Sequence, residues 1–483
     1  MFTRLPVVVA TVLFVSAPRV HAQVPGAVQV LPVDLETPRL DKHYGPFCSG
    51  DRAYSMVPLG ATGKGRRDIG IIHYLDGSKP AVVKELNLPF MKLHDTFNAM
   101  FVHQGRPCVV HDSWDAETGV VKLYLQRYAT ETFEADGPPQ LIGEAQFSHR
   151  YIEPELKLTV RSSPDGEYLL LHFDHAGNNG FKVALCWVLN AEFEVAWSNR
   201  FKLPVFAQGS RTAVTVTDDA QVLLAVVGVT ITDELTTHDE EGKEEVKGFS
   251  AALSNTSFSA YRMRGEVFET WNGHLPGGRQ FLDGSLCANG AGVFFTGLLP
   301  VQEGKKALNW AMLRLDDQFH PSGIIAEGAT PDLEVGGFRN TQLCAAGDGS
   351  MLFVVGGDKL LSNAFAPDGT LRWSTTTSWG WFVPQLVPYG NSIIGGVDLS
   401  PQDLDAIKAG KPMKETFDKR PFMLIWDDTG AITYSPLIPF SHPVKKGSYY
   451  NTMRPSFHGL GACRAYVDWD NERRPSLYRV PLE

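Results

Sequence analysis

The chain has 483 residues, and 44 Lys and Arg against 54 Asp and Glu give it a formal net charge of −10. This acidic balance lacks the basic surface that phosphate backbones require, so nucleic acid is not expected as a partner. Hydrophobic residues make up 43%, including 10 Trp and 28 Phe, which is enough for a large buried core. No low-complexity tract indicates disorder, and no run of about 20 apolar residues predicts a membrane-spanning helix.

The first residues have the features of a secretory signal peptide. Arg4 supplies a positive start, Leu5 to Pro18 is apolar, and Val20-His21-Ala22 carries small residues where signal peptidase reads. The apolar run is too short to span a bilayer, and no Cys follows to carry a lipid. We expect residues 1–22 to be removed near Ala22 and the mature chain to be periplasmic or extracellular, and monomeric.

Short apolar runs separated by turn residues recur along most of the chain. Between Leu156 and Trp197, four such runs form one meander, whose first turn is Ser163-Pro164-Asp165-Gly166. Pro presets φ near about −65° and Gly permits the reversal, so the flanking strands are predicted to be antiparallel. Similar second strands recur near Ala53, Cys108, Tyr168, Gln221, Val293, Met351, Ser392 and Gly461.

This recurrence predicts an all-β fold for residues 23–483, a single β-propeller of about seven or eight four-stranded blades. Ala27 to Leu35 alternates like a strand without a nearby partner, whereas Gly461 to Leu482 supplies only part of a last sheet. We expect the N-terminal strand to join the last blade and close the ring, because that pairing removes two exposed sheet edges.

Two insertions interrupt the repeats. Thr232 to Lys247 is charge-rich and falls in the fourth blade, either as a solvated hairpin tip or as a cation site. Ser400 to Gly410 is predicted to be a short helix in the seventh blade. Ser400 is a suitable N-cap, Pro401 suits the first turn, and Gly410 suits the position after the last turn.

The six Cys residues are predicted to be mostly free thiols. Cys48, Cys287 and Cys344 align at the end of innermost strands, where equivalent points on stacked sheets lie about 10 Å apart, beyond the roughly 7 Å that a disulfide allows. Cys108, Cys186 and Cys463 fall inside apolar strands. No C-x-x-C motif indicates a metal or redox site.

The connections between second and third strands are long and polar, and binding residues concentrate in such loops. They include His111 to Asp115, Asp174-His175 and Asp468 to Asn471. The innermost strands should start on the same face. Candidate ligand-binding residues near those starts are Arg211, Arg279, Arg339, Asn340, Arg454, His43 and His94. Arg groups gathered there would hold a carboxylate or phosphate by paired hydrogen bonds; alternatively, they cap carbonyls of the neighbouring blade.

Catalytic and cofactor motifs are scarce. The chain has no G-x-S-x-G, no H-E-x-x-H and no complete calcium loop, so no catalytic residue and no cofactor are predicted. Calcium stays open, because two acidic stretches could supply oxygen ligands. They are Asp112-x-x-Asp115-x-Glu117 and Asp468-x-Asp470-Asn471.

Two repeats carry a family resemblance. Ser163-Pro164-Asp165-Gly166 followed by Tyr168-Leu169-Leu170, and Ala366-Pro367-Asp368-Gly369 followed by Trp373, resemble the repeats of bacterial exported β-propellers, including the pyrroloquinoline-quinone-type group. The resemblance implies the fold and not the cofactor. The Arg collection is also similar to the arginine triad of sialidases. The chain departs from their S-x-D-x-G-x-T-W box, because Pro367 to Trp373 has a different spacing.

The sequence therefore favours an exported binding or scaffold protein that recognises a protein, a glycan or a small anionic ligand on its long-loop face. The alternative is a glycoside hydrolase-like enzyme acting on an acidic sugar, with Arg side chains orienting the substrate and a carboxylate as acid or nucleophile. A structural part of an envelope assembly is a third hypothesis.

Overall fold

The computed structural model describes most of the chain between residues 101 and 436, together with isolated strands on either side. Within that block it describes residues 101–115, 117–129, 132, 134–146, 158–176, 181–206, 210–227, 233–238, 244–250, 258–273, 280–302, 306–316, 320–334, 338–357, 359–377, 385–389, 391–411 and 420–436. Outside it, only backbone is described, at residues 29–32, 44–49, 52–62, 66–74, 82–86, 95–100, 458–460, 463–469 and 475–481. The predicted signal peptide lies outside the described residues.

The strands in this described part form four-stranded antiparallel sheets, named S1 to S8 in chain order, which confirms the all-β prediction. The N-terminal strand is β1 (Gln29–Pro32). S1 contains β2 (Tyr44–Ser49), β3 (Arg52–Thr62), β4 (Arg66–Tyr74) and β5 (Val82–Leu86). S2 contains β6 (Asp95–His103), β7 (Arg106–Asp115), β8 (Val120–Arg127) and β9 (Gln140–Gln146). S3 contains β10 (Thr159–Ser162), β11 (Leu169–Ala176), β12 (Phe181–Leu189) and β13 (Val195–Phe206).

The next two sheets include one insertion. S4 begins with β14 (Arg211–Val216) and β15 (Val222–Val227), continues after the inserted hairpin of β16 (Asp233–His238) and β17 (Glu244–Ser250), and ends with β18 (Phe258–Arg264) and β19 (Val267–Gly273). S5 contains β20 (Asp283–Asn289), β21 (Gly292–Pro300), β22 (Ala307–Leu315) and β23 (Pro321–Glu334). The charge-rich segment from Thr232 to Lys247 therefore lies largely within a separate two-stranded hairpin.

The last three sheets include the only helix among the described residues. S6 contains β24 (Phe338–Ala345), β25 (Met351–Gly357), β26 (Leu360–Phe365) and β27 (Leu371–Thr377). S7 contains β28 (Gln385–Tyr389), β29 (Ser392–Leu399), β30 (Arg420–Trp426) and β31 (Ile432–Pro436), with helix α1 (Pro401–Lys408) between its second and third strands. S8 contains β32 (His458–Leu460), β33 (Cys463–Trp469) and β34 (Pro475–Pro481), and β1 pairs with β34 at its outer edge.

The hydrophobic core lies between neighbouring sheets. Separate buried clusters fill the S2–S3, S3–S4, S4–S5, S5–S6 and S6–S7 interfaces. Second strands such as β15 and β25 are buried along their whole length, which explains their continuous apolar sequences. The fourth strand β27 alternates between exposed and half-buried residues, because only one of its faces is covered.

The first strands of successive sheets lie side by side. Contacts join β10, β14, β20, β24 and β28 in that order, and join β2 to both β6 and β32. Four-stranded sheets with their first strands innermost form the arrangement of a β-propeller. The space lined by β10, β14, β20 and β24 is called the channel below.

The face with the tight first turns is occupied by hydrogen bonds between sheets. Gln104 Nε2 donates to the Gly166 carbonyl at 2.7 Å, and the Asp165 amide donates to Asp218 Oδ1 at 3.0 Å. Asn289 Nδ2 donates to the Gly349 carbonyl at 2.7 Å. These contacts hold adjacent sheets in register at that face and leave the opposite face for long connections.

Two of the predicted long loops are in fact strands. His111 and Asp112 are each 1% exposed, because β7 stays paired with β8 as far as Asp115. Asp174 and His175 belong to β11, which stays paired with β12 as far as Ala176. The prediction of a functional loop is wrong at these positions, because cross-strand pairing satisfies the backbone of polar residues as well as of apolar ones.

Four cysteines in the described block are free thiols: Cys108, Cys186, Cys287 and Cys344. Cys48 and Cys463 lie in β2 and β33, where side chains are not described. No helix among the described residues is long and apolar enough to cross a membrane.

Candidate functional site

Of the seven predicted ligand-binding residues, the side chain of Arg211 is described. Arg211 is exposed at the first position of β14, the predicted start of an innermost strand. The backbones of Arg339 and Asn340 lie in β24, also near its start. Arg279, Arg454, His43 and His94 lie outside the described residues.

Strand register places Arg211 level with two residues of neighbouring sheets. Arg211 pairs with Val227, Asp283 with Leu298 and Asn340 with Gly356 on the second strands of S4, S5 and S6. Each stands at the start of its first strand, on the long-connection side of the channel. These three residues, Arg211, Asp283 and Asn340, are called the loop-side layer.

Asp283 is the acidic member of this layer, and sequence reasoning did not single it out. Its side chain is 6% exposed, and Oδ1 accepts a hydrogen bond from the Gly284 amide at 2.9 Å. Burial raises the pKa of Asp283, and the Arg211 charge and hydrogen bonds from Thr341 only partly oppose that rise. The charge of Arg211 therefore affects the pKa of Asp283 on the adjacent first strand.

Two hydroxyl groups, one in S5 and one in S6, lie next to the loop-side layer. Ser285 Oγ donates to the Thr341 carbonyl at 3.1 Å and lies 3.4 Å from Thr341 Oγ1. This contact fixes β20 against β24, so Asp283 is presented from a rigid strand pair. The loop-side layer thus offers one cationic group, one carboxyl group and nearby hydroxyls, a set suited to small acids and sugars.

A largely buried ion cluster is bonded to Ser210, the residue before Arg211. Lys182 Nζ lies 2.9 Å from Asp174 Oδ2 and donates to Ser210 Oγ at 3.1 Å, and Ser210 immediately precedes Arg211. Asp174 Oδ1 lies 2.9 Å from His172 Nε2. Burial alone would raise the pKa of Asp174, but His172 and Lys182 outweigh it and hold that pKa well below its ordinary value.

A second set of residues shares one level nearer the tight turns. Arg161, Thr215, Cys287 and Cys344 pair with second-strand residues that each pack against the following sheet. Those partners are Leu170, Leu223, Phe294 and Leu352. The four first-strand residues are called the turn-side layer, and Arg161 is a channel residue that sequence reasoning missed. The alignment that joined Cys287 to Cys344 would have found Arg161 if extended to β10.

The predicted calcium ligands do not converge where they are described. Asp112 is buried in β7, whereas Asp115 caps its own turn by accepting from the Glu117 amide at 2.9 Å and the Thr118 amide at 3.3 Å. Asp468 lies in β33, where side chains are not described, and Asp470 and Asn471 lie outside the described residues. No group of three or more His, Cys, Asp or Glu side chains in the described part is placed to hold a metal ion.

Comparison with known proteins yields fold likenesses only. No family model matches the chain, and no curated protein matches it. The chain is similar to the β-propeller domain of the Trilobed protease from Pyrococcus furiosus, with TM-score 0.41 and 9% identity over 86% of this chain and 99% of that one. It is also similar to Porphyromonas gingivalis dipeptidyl peptidase 4, with TM-score 0.43 and 11% identity over 91% of this chain and 58% of that one.

The likeness extends to Pyrococcus horikoshii acylaminoacyl peptidase, with TM-score 0.40 and 10% identity over 89% of this chain. The chain spans 56% of the length of that peptidase. A likeness at these scores and identities carries nothing about activity, substrate or ligand.

Proposed function

We propose that this chain is an exported β-propeller, with eight blades in one closed ring, that binds a small anionic ligand at the loop-side layer. The observation that carries the proposal is Arg211, an exposed guanidinium at the channel mouth, level with Asp283 on the neighbouring first strand. A guanidinium holds a carboxylate or phosphate by two parallel hydrogen bonds. Acidic sugars fit best, because the Ser285 and Thr341 hydroxyls lie on the neighbouring first strands and can pair with hydroxyl groups.

Isothermal titration with matched pairs of small ligands tests the proposal. Each acid is paired with its neutral analogue, for example galacturonate with galactose. We expect the acid to bind and Arg211→Gln to weaken binding roughly tenfold or more, because charge-assisted hydrogen bonds contribute about 1.5–3 kcal/mol. Arg372→Gln is the control, since Arg372 is exposed on the outer strand β27. Equal binding of acid and neutral analogue, or full affinity in Arg211→Gln, would contradict the proposal.

Asp283 gives the same experiment a second arm. A carboxylate beside Arg211 competes with an anionic ligand, so Asp283→Asn should strengthen binding of the acid. Binding of the acid should also strengthen as the pH falls towards the raised pKa of Asp283, until the ligand itself is protonated. Weaker binding in Asp283→Asn would instead assign Asp283 to the ligand's hydroxyl groups.

An enzyme acting on an acidic sugar is the second candidate, and the raised pKa of Asp283 favours it. A general acid needs a pKa above that of an ordinary carboxyl group, and burial provides it here. Glycoside hydrolysis also needs a second carboxylate, at about 5 Å for retention or 6.5–9.5 Å for inversion. Release of a chromophore from aryl glucuronides, lost in Asp283→Asn, would support this candidate over simple binding.

A further inference from the structure

The turn-side layer contains a positive charge that no described group neutralises. The Arg161 guanidinium lies near enough to Cys287 and Cys344 to influence the pKa of each thiol, although these residues belong to S5 and S6 rather than to the adjacent S4. Strand register puts the three residues at the same level of their first strands. The only hydrogen bond of the Arg161 side chain among the described residues is from Nη1 to the Val160 carbonyl at 3.0 Å, so Nε and Nη2 have no acceptor there.

The groups described around Arg161 carry no negative charge. Its side chain has an exposed surface, yet the enclosing protein desolvates the guanidinium and lowers its pKa. Burial raises the pKa values of Cys287 and Cys344 to about 12, so both thiols are uncharged at neutral pH. The four residues of the layer therefore carry a net positive charge, which a bound anion would neutralise.

We propose that the turn-side layer is a second anion site, in which Arg161 binds one small oxyanion such as a carboxylate or a phosphate. The free edge of the guanidinium matches the two oxygens of such an anion. The Thr215 hydroxyl is a further donor in the layer, whereas the Cys287 and Cys344 thiols donate to the Ala288 and Ala345 carbonyls.

This site is distinct from the one proposed at the channel mouth. Each loop-side residue stands four positions before its turn-side counterpart on the same strand, as Asp283 does before Cys287. Four residues of β-strand span about 13 Å, which is too far for one small anion to touch both layers. The two proposals therefore stand or fall separately.

Thermal unfolding of the full chain tests the second site. Sodium acetate and sodium phosphate are titrated at constant ionic strength, with chloride as a spherical anion of similar charge. The titration is done in the Arg211→Gln background, so that an anion bound at the loop-side layer does not contribute. We expect a saturable rise in Tm with at least one oxyanion, a smaller response to chloride, and no saturable rise once Arg161→Gln is added. Arg161→Lys should keep a weakened response, because it retains the charge but loses the paired geometry.

A control variant and a crystal soak locate the site. In the same background Arg372→Gln, on the outer strand, should keep the full response to acetate or phosphate. An arsenate soak of a crystal should place an anomalous arsenic peak within hydrogen-bond reach of the Arg161 guanidinium. An oxyanion response that is absent in Arg211→Gln, equal to that of chloride, or unchanged when Arg161→Gln is added would overturn the proposal. So would a carboxylate of the chain itself seated on Arg161.

Discussion

Asp174 joins three other buried or half-buried polar side chains into one hydrogen-bonded unit. It lies against His172 and Lys182, and Lys182 donates in turn to Ser210 in the next sheet. Lys182 is 6% exposed, so its ammonium depends on the carboxylate for compensation. Removing one partner of a buried pair costs far more than the intact pair contributes, because the remaining charge is left unsolvated.

Asp174→Asn should therefore lower the free energy of unfolding by about 3–5 kcal/mol at pH 7. Asp316→Asn is the matched control, because Asp316 Oδ2 lies 3.9 Å from His320 Nδ1 and both side chains are about half exposed. An exposed pair contributes about 0–1 kcal/mol. Denaturant midpoints of both variants measure the difference, and similar small losses in the two would contradict the role of Asp174.

The effect of Asp174→Asn should depend on pH. The folded pKa of Asp174 lies below its unfolded value of about 3.9, so the folded state binds fewer protons and the contribution to stability is complete above about pH 5. That contribution is lost as the pH falls through the unfolded value towards the folded one. The stability gap between wild type and variant should narrow over this range, and a constant gap would indicate lost packing instead.

Helix α1 shows how capping and packing together stabilise one short segment. An isolated helix of eight residues is not stable in water, so tertiary contacts must hold it. The Asp403 amide donates to Ser400 Oγ at 3.0 Å, and the Ser400 amide donates to Asp403 Oδ2 at 2.8 Å, which forms a capping box. Leu404 and Ile407 pack against the S6–S7 core.

Ser400→Ala should cost about 1–2 kcal/mol, because the cap lies in a buried setting where the lost hydrogen bonds are not replaced by water. Gln402→Ala, at an exposed position of the same helix, should have little effect. Hydrogen exchange should report faster opening of the amides of α1 in Ser400→Ala than in Gln402→Ala. Equal exchange in the two variants would show that packing of Leu404 and Ile407 suffices.

A strand from the start of the described sequence pairs with the last strand. β1 pairs with β34 from Gln29 to Pro32, so the last sheet includes a strand from the far end of the sequence. If the eight sheets form one closed ring, this pairing links the first and last blades, and its loss exposes an edge and frees the ring to open.

A variant that starts after residue 34 should therefore unfold at lower denaturant than one that starts after residue 26, which keeps β1. Hydrogen exchange should rise first at β34, the strand that loses its partner. Equal stability of the two truncations would show that β1 contributes no closure.

Local signals predicted the elements whose causes are local. The turn glycines, the cap at Ser400 and the free state of Cys287 and Cys344 follow from neighbouring residues or from the repeat, and the structure contains them. The extent of β7 and β11 did not follow, because a strand ends where its partner ends, and the partner is distant in sequence. His111 and Asp174 are therefore buried strand residues rather than loop groups.

By itself, the sequence determined the all-β repeat, the antiparallel meanders and the placement of Arg211 at the start of an innermost strand, since each depends on periodicity and turn chemistry within one repeat. Only the tertiary structure decided that Asp283 stands level with Arg211 and that Arg161 stands level with Cys287 and Cys344. Those relations join different sheets, and burial between sheets sets the charge state of the groups. The spacing of residues along one strand predicts neither the relations between sheets nor these charge states.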